Sequence, residues 1–241
     1  MAASDGVMSW LEERNIGIET PGGTVPIVSQ AILFDLDTKD SKARPGSEMG
    51  YNAANNANSK ELEEGSVGAG TGAVVGKAWG SEFGTKGGLA SVSRTMPDGT
   101  TVGALSVVNS FGEIVSAKGD IIAGPRDENG NFISTFRPSD EHGGRNDDSL
   151  GGYFGANTTL VCVAVDASLD KSGAKKIAQV AHNGIARAIR PSHTPFDGDS
   201  AFVIATGKKK EPGIEMSRLG YYAALCVEDS IRKAVKCARG I

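Results

Sequence analysis

The feature that most restricts the fold of this chain is a continuous apolar run, Thr158–Val165, which directly follows a long polar stretch. An uninterrupted apolar segment of this length predicts a central strand that is buried on both faces. Asp170–Arg190 then carries apolar residues on one helical face and lysines and arginines elsewhere, which predicts a helix that covers a sheet. A strand over Ala201–Thr206 and a closing helix over Met216–Arg239 complete an α/β pattern.

The polar stretch before this strand, residues 118–156, is rich in Gly, Asn, Asp, Arg and Pro and has almost no hydrophobic periodicity. This composition predicts a long loop or linker. Loops longer than about 12–15 residues are uncommon inside a compact domain, and they tend to be functional or disordered. The junction of this loop with the strand, at Asn157–Thr158, is therefore a candidate place for chemistry.

Upstream of the loop, the pattern predicts a helix, a buried strand, a second short helix and a hairpin. The hairpin prediction rests on Pro97-Asp98-Gly99, three turn-forming residues between two strand-like runs. The expected bounds are Met1–Arg14, Val25–Leu36, Tyr51–Glu61 and, for the two hairpin strands, Leu89–Thr95 and Thr101–Val108.

A glycine-rich stretch over Gly65–Gly72 permits a ligand or another strand to approach its backbone closely. It does not match the usual phosphate-binding loops. A Walker loop requires glycine where Thr71 stands and a hydroxyl residue where Ala78 follows Gly76-Lys77. A dinucleotide fingerprint requires a preceding strand, and the residues before the stretch are mostly acidic.

Composition and charge exclude several classes of partner. The net charge is −4, and the basic residues are scattered apart from Lys208–Lys210, so neither a nucleic acid nor a membrane partner is expected. No apolar run reaches the roughly 18–20 residues of a membrane span, and the first residues lack the order of a signal peptide. We therefore expect a cytoplasmic protein.

The histidines and carboxylates indicate no familiar catalytic or metal motif. There is no Gly-x-Ser-x-Gly elbow, and His182 lies beside the apolar stripe of a helix, where a structural role is the simpler interpretation. His193 with Asp197 and Asp199 offers three metal-ligating side chains on one loop, but such an arrangement is more often a hydrogen-bonded turn. We expect neither a metal nor a cofactor.

The Asn157–Thr158 junction suggests self-cleavage. A strand fixes the backbone of Thr158 while the residues before it are loose, so the hydroxyl is placed to attack the preceding carbonyl. After cleavage, the new α-amine, with a reference pKa of about 7.7–8.0, can serve as the base of its own hydroxyl. The simpler alternative is an ordinary threonine at the start of a strand.

Several segments together resemble the DmpA-type L-aminopeptidase/D-esterases, a family that includes β-aminopeptidases and nylon-oligomer hydrolases. The resemblance runs nearly from end to end, because the segments occur in the order of the family. They are Gly65–Gly72, Lys86-Gly87-Gly88-Leu89, Val102-Gly103-Ala104-Leu105 with Val107-Val108-Asn109, Asn157-Thr158-Thr159-Leu160 and His193–Asp199.

The resemblance implies an αββα sandwich like that of the N-terminal nucleophile hydrolases, self-cleavage into residues 1–157 and 158–241, and hydrolysis of small peptides, amides or esters at their N-terminal residue. Thr158 is then the nucleophile. Lys77 would shuttle protons or stabilise charge, with a surface lysine at a turn as the alternative. Asn109 would hold the oxyanion, with a turn-forming asparagine as the alternative.

The remaining implications concern other site residues, the length of the chain and its assembly. Asp197 and Asp199 would orient the threonine amine, with loop-capping hydrogen bonds as the alternative, and the role of Lys86 is left open. Family members carry a segment before the helix that Met1–Arg14 resembles, so we expect this chain to be N-terminally truncated. A homotetramer is implied. The rival functions are acyl transfer of the ornithine acetyltransferase kind and a non-catalytic subunit.

Overall fold

The computed structural model describes residues 2–38, 40–135, 156–209 and 215–238. The chain divides into two units. One is built from Met1–Ile32 and Asp40–Glu61, and the other from Leu33–Lys39 and Leu62–Ile241. Every predicted site residue belongs to the second, larger unit.

The smaller unit is a helix pair with one small hairpin. It contains helix α1 (Ala2–Glu12), strands β1 (Ile18–Thr20) and β2 (Gly23–Val25), and helix α2 (Ser47–Asn56). The helices meet at glycines, because a Cβ on Gly6 would lie 1.8 Å from the Ser47 carbonyl oxygen. Both helices were predicted, and α2 begins four residues earlier than expected.

The strand predicted over Val25–Leu36 is wrong. Residues 26–38 are all described, and none of them forms a strand. Ile27 is 69% exposed and Ile32 is 70% exposed. An apolar run becomes a buried strand only where a partner strand is available, and within the described chain these residues have none.

The larger unit contains nine strands and two helices among its described residues. In chain order these are β3 (Val74–Val75), β4 (Thr85–Lys86), β5 (Gly88–Thr95), β6 (Thr101–Asn109), β7 (Glu113–Val115), β8 (Ile121–Ala123), β9 (Thr158–Ala167), α3 (Lys171–Ala188), β10 (Ile189–Arg190), β11 (Ser200–Lys209) and α4 (Met216–Cys237).

The principal sheet has the strand order β11-β9-β6-β5. Strands β5 and β6 form the predicted antiparallel hairpin. Strand β9 pairs antiparallel with β6 and parallel with β11, and α3 makes the crossover that a parallel pair requires. Two smaller sheets, β10-β7-β8 and β3-β4, lie in the same unit.

Helices α3 and α4 pack on one face of the principal sheet. Alternate residues of β9, among them Val161 and Val163, are buried there with Ile177 of α3 and Ile231 of α4. On the opposite face Ala164 is exposed, and Ile204 of β11 is 54% exposed. The expectation that β9 is buried on both faces is therefore wrong, since its side chains alternate between a packed and an open face.

The polar stretch at residues 118–156 contains regular structure in its first part. Strand β8 and a bridge between Arg126 and Phe132 occupy its first part, so the prediction of a loop without regular structure is wrong there. Residues 136–155 lie outside the described part of the chain. Among the described helices, none has the length and apolar character that a membrane span requires.

Candidate active site

The register of the principal sheet brings Asn109 and Thr158 together. They are opposite each other at one end of the β6–β9 ladder. Asn109 is 1% exposed and Thr158 is 4% exposed, so both polar side chains are buried at this sheet end. The pairing of these two predicted site residues, 49 positions apart, follows from the antiparallel register alone.

The hydroxyl of Thr158 lies beside the carbonyl that self-cleavage would attack. Its Oγ1 donates a hydrogen bond to the Asn157 carbonyl oxygen over 2.6 Å. The same carbonyl oxygen accepts the main-chain N–H of Gly198 over 2.7 Å. Asn157 is itself 1% exposed, and its side-chain amide donates to the Phe196 carbonyl oxygen over 3.3 Å.

The amide of Asn109 has a defined orientation. Its Oδ1 accepts the Val74 N–H over 3.0 Å, so Nδ2 is free to donate. Nδ2 donates to the Phe34 carbonyl oxygen over 2.8 Å and to the Ala156 carbonyl oxygen over 3.4 Å. These bonds make Asn109 an organised hydrogen-bond donor at the end of its strand, and its role toward an oxyanion stays a prediction.

Lys77 is buried, and the alternative of a surface lysine is wrong. The side chain is 4% exposed, and its Nζ donates to the Ala156 carbonyl oxygen over 2.8 Å. Burial lowers the pKa of Lys77 to about 8, against the opposing charges of Asp37, Asp197 and Asp35. An amine with this pKa exchanges protons near neutral pH, as a general acid or base must.

The glycine before Lys77 explains why this lysine turns inward. Gly76 has a left-handed backbone, with φ of 75°, and a Cβ there would lie 2.4 Å from the ring of Pro125. A short 3₁₀ turn over Lys77–Trp79 follows. Only glycine satisfies both the backbone angle and the space.

The glycine-rich stretch allows close backbone packing. A Cβ on Gly70 would lie 2.5 Å from the Gly65 carbonyl oxygen, and one on Gly72 would lie 2.1 Å from a carboxylate oxygen of Asp35. The buried Lys86 donates from Nζ to the Thr71 carbonyl oxygen. The stretch therefore accommodates neighbouring segments of the same chain, and Lys86 ties down its end.

Asp199 holds the residue after the nucleophile. Its Oδ1 accepts the Thr159 N–H over 2.7 Å, while Oδ2 lies 2.8 Å from Nδ1 of His193. His193 has a left-handed backbone with φ of 56°. Its Nε2 lies 3.3 Å from Nδ1 of His182. Asp199 is thus positioned between the nucleophile strand and a histidine pair.

The two histidines have pKa values shifted in opposite directions. The hydrogen bond with Asp199 raises the pKa of His193, against the effect of its partial burial. Burial and the neighbouring charge of His193 lower the pKa of His182. The contacts of Asp199 with His193 and of His193 with His182 form a hydrogen-bond chain.

Asp197 anchors its own loop. One carboxylate oxygen accepts the Phe111 N–H over 3.3 Å, and the other accepts the N–H and hydroxyl of Thr194 over 3.0 and 2.6 Å. Burial raises the pKa of Asp197. These contacts match the loop-capping alternative, and a role toward the threonine amine stays a prediction.

Sequence reasoning missed several groups that surround the site. The carbonyl of Phe34 and the carboxylates of Asp35 and Asp37 lie where no motif indicated them. The main-chain N–H of Gly198 lies within the family segment His193–Asp199 but was not singled out. His193 was considered as a metal ligand or as part of a hydrogen-bonded turn, and its contact with His182 was not predicted. The sequence feature that could have indicated Gly198 is its position between Asp197 and Asp199 in the family segment His193–Asp199.

The likeness to solved structures defines the class of fold. The larger part of the chain resembles the L-aminopeptidase D-Ala-esterase/amidase of Ochrobactrum anthropi, described as a variant of the Ntn hydrolase fold, with a TM-score of 0.54, 20% identity and coverage of 80% of this chain and 50% of that one. The PH0078 protein of Pyrococcus horikoshii matches with a TM-score of 0.64 and 25% identity, over 100% of this chain and 63% of that one. The predicted α/β fold of this type is confirmed.

The chain belongs to peptidase family S58, whose model matches residues 1–241. An uncharacterized aminopeptidase of Mycobacterium tuberculosis is 38% identical over 244 residues, which cover 99% of this chain and 66% of that protein. The chain thus spans just under two thirds of the length of the mycobacterial relatives. The predicted family resemblance is confirmed.

Proposed function

We propose that this chain cleaves itself between Asn157 and Thr158 and then hydrolyses N-terminal peptide, amide or ester bonds with Thr158 as the nucleophile. One observation carries the proposal. The buried hydroxyl of Thr158 lies 2.6 Å from the oxygen of the carbonyl that precedes it. Membership of a peptidase family and the aminopeptidase name of the mycobacterial relative support the same reaction class.

In self-cleavage, Oγ1 of Thr158 forms a bond to the Asn157 carbonyl carbon and loses its proton. The tetrahedral intermediate then breaks its bond to the Thr158 nitrogen, which takes up a proton and becomes an amine. Water hydrolyses the resulting ester and leaves a carboxylate on Asn157. Before cleavage the Thr158 nitrogen is an amide and cannot act as a base, so Lys77, with a pKa of about 8, is the available amine.

In hydrolysis, the new amine of Thr158 and Lys77 move protons, while Asn109 stabilises the oxyanion of the substrate. Withdrawal of Ala156 after cleavage frees Nζ of Lys77 and Nδ2 of Asn109, because both donate to its carbonyl oxygen before cleavage. Donors that are already oriented stabilise a developing negative charge without reorganisation. Asp199 keeps the strand after Thr158 in place through the Thr159 N–H.

The proposal is tested by the mass of the full chain under denaturing conditions, in the parent and in Thr158→Ala. The parent should give two fragments that separate between Asn157 and Thr158, and Thr158→Ala should give one uncut mass. Thr159→Val is the matched control, because Thr159 is also buried and its hydroxyl has no partner among the described residues. An uncut parent, or a cut Thr158→Ala chain, would rule the proposal out.

The same sample tests hydrolysis and association. Under native conditions the fragments should elute together, because β6 of one fragment pairs with β9 of the other from Val102–Val165 to Asn109–Thr158. The processed parent should release p-nitroaniline from aminoacyl p-nitroanilides, and Thr158→Ala should not. The homotetramer and the cytoplasmic location stay predictions, which light scattering and cell fractionation test.

A further inference from the structure

The carbonyl attacked in self-cleavage is held by a donor that the family resemblance did not indicate. Asn157 O accepts hydrogen bonds from the Gly198 N–H at 2.7 Å and from Thr158 Oγ1 at 2.6 Å. The expected oxyanion donor, Asn109, instead donates to the carbonyl oxygens of Phe34 and Ala156. Lys77 likewise donates to Ala156 O. Among the described residues, Gly198 is thus the donor on the scissile carbonyl besides the nucleophile itself.

The Gly198 N–H lies between two anchored residues. On one side, the carboxylate of Asp197 accepts N–H groups from Phe111 and Thr194. On the other, the carboxylate of Asp199 accepts the Thr159 N–H. Neither anchor depends on the Asn157 carbonyl. The N–H is therefore held in place while the carbonyl changes from planar to tetrahedral.

The contact is separate from the regular ladder between β9 and β11. That ladder begins at the Leu160–Ser200 pair, whereas Asn157 and Asp197 form an isolated bridge. Between the Leu160–Ser200 pair and this bridge, the Thr159 N–H donates to the side chain of Asp199 instead of to a main-chain carbonyl. The main-chain pairing is therefore interrupted beside the nucleophile, and the bridge at the scissile carbonyl is a separate contact.

Glycine at this position leaves room for the nucleophile. A Cβ on residue 198 would lie 2.9 Å from Oγ1 of Thr158, a separation that real Cβ atoms essentially never show. The backbone of Gly198 is not left-handed, so a side chain here would be excluded by the lack of space and not by the backbone conformation. A main-chain donor without a side chain therefore places an N–H on the carbonyl and leaves the hydroxyl in position to attack.

We propose that the main-chain N–H of Gly198 is the oxyanion donor of self-cleavage at Asn157–Thr158. The inference rests on the proposed function. As Oγ1 bonds to the Asn157 carbon, the carbonyl π electrons move to the oxygen, and the Gly198 N–H stabilises the negative charge there. When the bond to the Thr158 nitrogen breaks, the electron pair on the oxygen forms the carbonyl again, and the nitrogen gains the proton lost by Oγ1.

Replacement of Gly198 by glycolic acid in cell-free translation tests the role of the N–H. The exchange turns one main-chain amide into an ester and removes the donor without adding an atom near Oγ1. Gly198 is exposed, so no packed side chain is disturbed. The matched control is the same exchange at Gly130, also exposed, whose N–H donates to the Asp127 carbonyl oxygen in a remote turn.

Self-cleavage of the Gly198 ester should be slower than that of the parent by about 10²–10³-fold, the loss found when one oxyanion donor is removed. The Gly130 ester should cleave at the parent rate, and both esters should unfold at similar temperatures. A Gly198 ester that cleaves at the parent rate overturns this inference and leaves the proposed function standing. If the Gly198 ester fails to fold while the Gly130 ester folds, the Gly198 N–H has a structural role, and this result also overturns the inference. An uncut parent overturns both proposals.

Discussion

The two sides of the Asn157–Thr158 bond are held by different kinds of group. Upstream, the Ala156 carbonyl oxygen accepts hydrogen bonds from the side chains of Lys77 and Asn109. Downstream, the carboxylate of Asp199 accepts a hydrogen bond from the Thr159 N–H. The upstream groups come from β6 and the turn after the glycine-rich stretch, and the downstream groups come from the loop before β11.

This difference becomes important if the chain is cut. Lys77 and Asn109 would then belong to the fragment 1–157, while Asp199 and the nucleophile would stay on one covalent chain. In the proposed reaction the downstream contacts keep Thr158 in place, while withdrawal of Ala156 frees the upstream donors. On this proposal the upstream side binds the substrate, and the downstream side positions the nucleophile.

Asn109→Ala is expected to produce the largest difference between the rate of hydrolysis and the rate of self-cleavage. Hydrolysis by the processed enzyme should fall by about 10²–10³-fold, because one oxyanion donor is lost. Self-cleavage should change far less, since Asn109 does not donate to the Asn157 carbonyl oxygen. Steady-state turnover and a time course of cleavage measure the two rates on one preparation.

Ser106→Ala is the matched control for Asn109→Ala. Ser106 lies on the same strand, is fully buried and shares a 2.7 Å hydrogen bond with the hydroxyl of Ser230. Asn109→Ala removes the acceptor of the Val74 N–H, and Ser106→Ala removes one of the two hydrogen bonds of the Ser230 hydroxyl, which also donates to the Val227 carbonyl oxygen. Loss of a buried hydrogen-bond partner destabilises a fold by about 1–3 kcal/mol. Equal losses of turnover in the two variants would trace the effect to folding and contradict a role in catalysis.

Lys77→Met should give the next largest effect. Self-cleavage of the parent should rise with pH through about 8, as the amine loses its proton. The variant should lose this pH dependence and about 10²-fold in rate at pH 8, the lower end of what general acid–base catalysis supplies. Rates of cleavage from pH 6 to pH 10 measure the change.

Lys86→Met is the control for Lys77→Met, because Lys86 is also buried but donates to the Thr71 carbonyl oxygen. Lys86→Met should keep the pH dependence of self-cleavage.

The stability of the fold gives a second check on Lys77. A lowered pKa means that the unfolded chain binds more protons than the folded one between about 8 and about 10.4, so the parent should gain stability relative to Lys77→Met as pH rises through that window. If the self-cleavage rate no longer rose with pH in either Lys77→Met or Lys86→Met, the assignment of this pH dependence to Lys77 would be contradicted.

The smallest effect is expected from His193→Asn, which removes the imidazole and tolerates the left-handed backbone. The raised pKa of His193 means that the folded chain holds the proton more tightly than the unfolded one. This stabilisation is fully present below about pH 6.5 and is lost as pH rises through the folded pKa. Because the side chain is 37% exposed, the loss at pH 5–6 should be within about 1 kcal/mol.

His182→Gln should have the opposite sign. The lowered pKa of His182 means that the folded chain disfavours its charged form, so removal of the imidazole should raise stability below about pH 6.5. Thermal unfolding of the parent and both variants at pH 5.5 and pH 8 measures these differences. Shifts of the same sign in the two variants would contradict the hydrogen-bond chain from Asp199 to His182.

Hydrophobic periodicity predicted the four strands of the principal sheet and its two helices, whereas the short strands β3, β4, β7, β8 and β10 were not predicted. Strand β9, helices α3 and α4 and the β5–β6 hairpin lie where the pattern placed them, because each buries one face against the same core. Strand β11 runs from Ser200 to Lys209, beyond the predicted Ala201–Thr206. The pattern failed at Val25–Leu36, where the apolar side chains of Ile27 and Ile32 are exposed.

The candidate site could be predicted in part. Family segments indicated Thr158, Asn109, Lys77, Asp197 and Asp199, and the structure places the first three around the Ala156–Thr158 backbone. It places Asp199 on the Thr159 N–H and Asp197 on its own loop. Main-chain donors and acceptors such as Gly198 N–H and Phe34 O carry no side-chain signature, so no pattern of residue types reveals them.

By itself the sequence determined the order of the four strands of the principal sheet and of the helices, the family, and the polar-to-apolar junction at Asn157–Thr158. These properties are local, because they depend on the spacing of apolar residues and on short runs of neighbours. Only the tertiary structure decided which polar groups meet that junction. The register between β6 and β9 sets Asn109 against Thr158, and burial turns Lys77 toward a carbonyl 79 residues away. Contacts of this kind depend on how distant segments pack, which no local pattern contains.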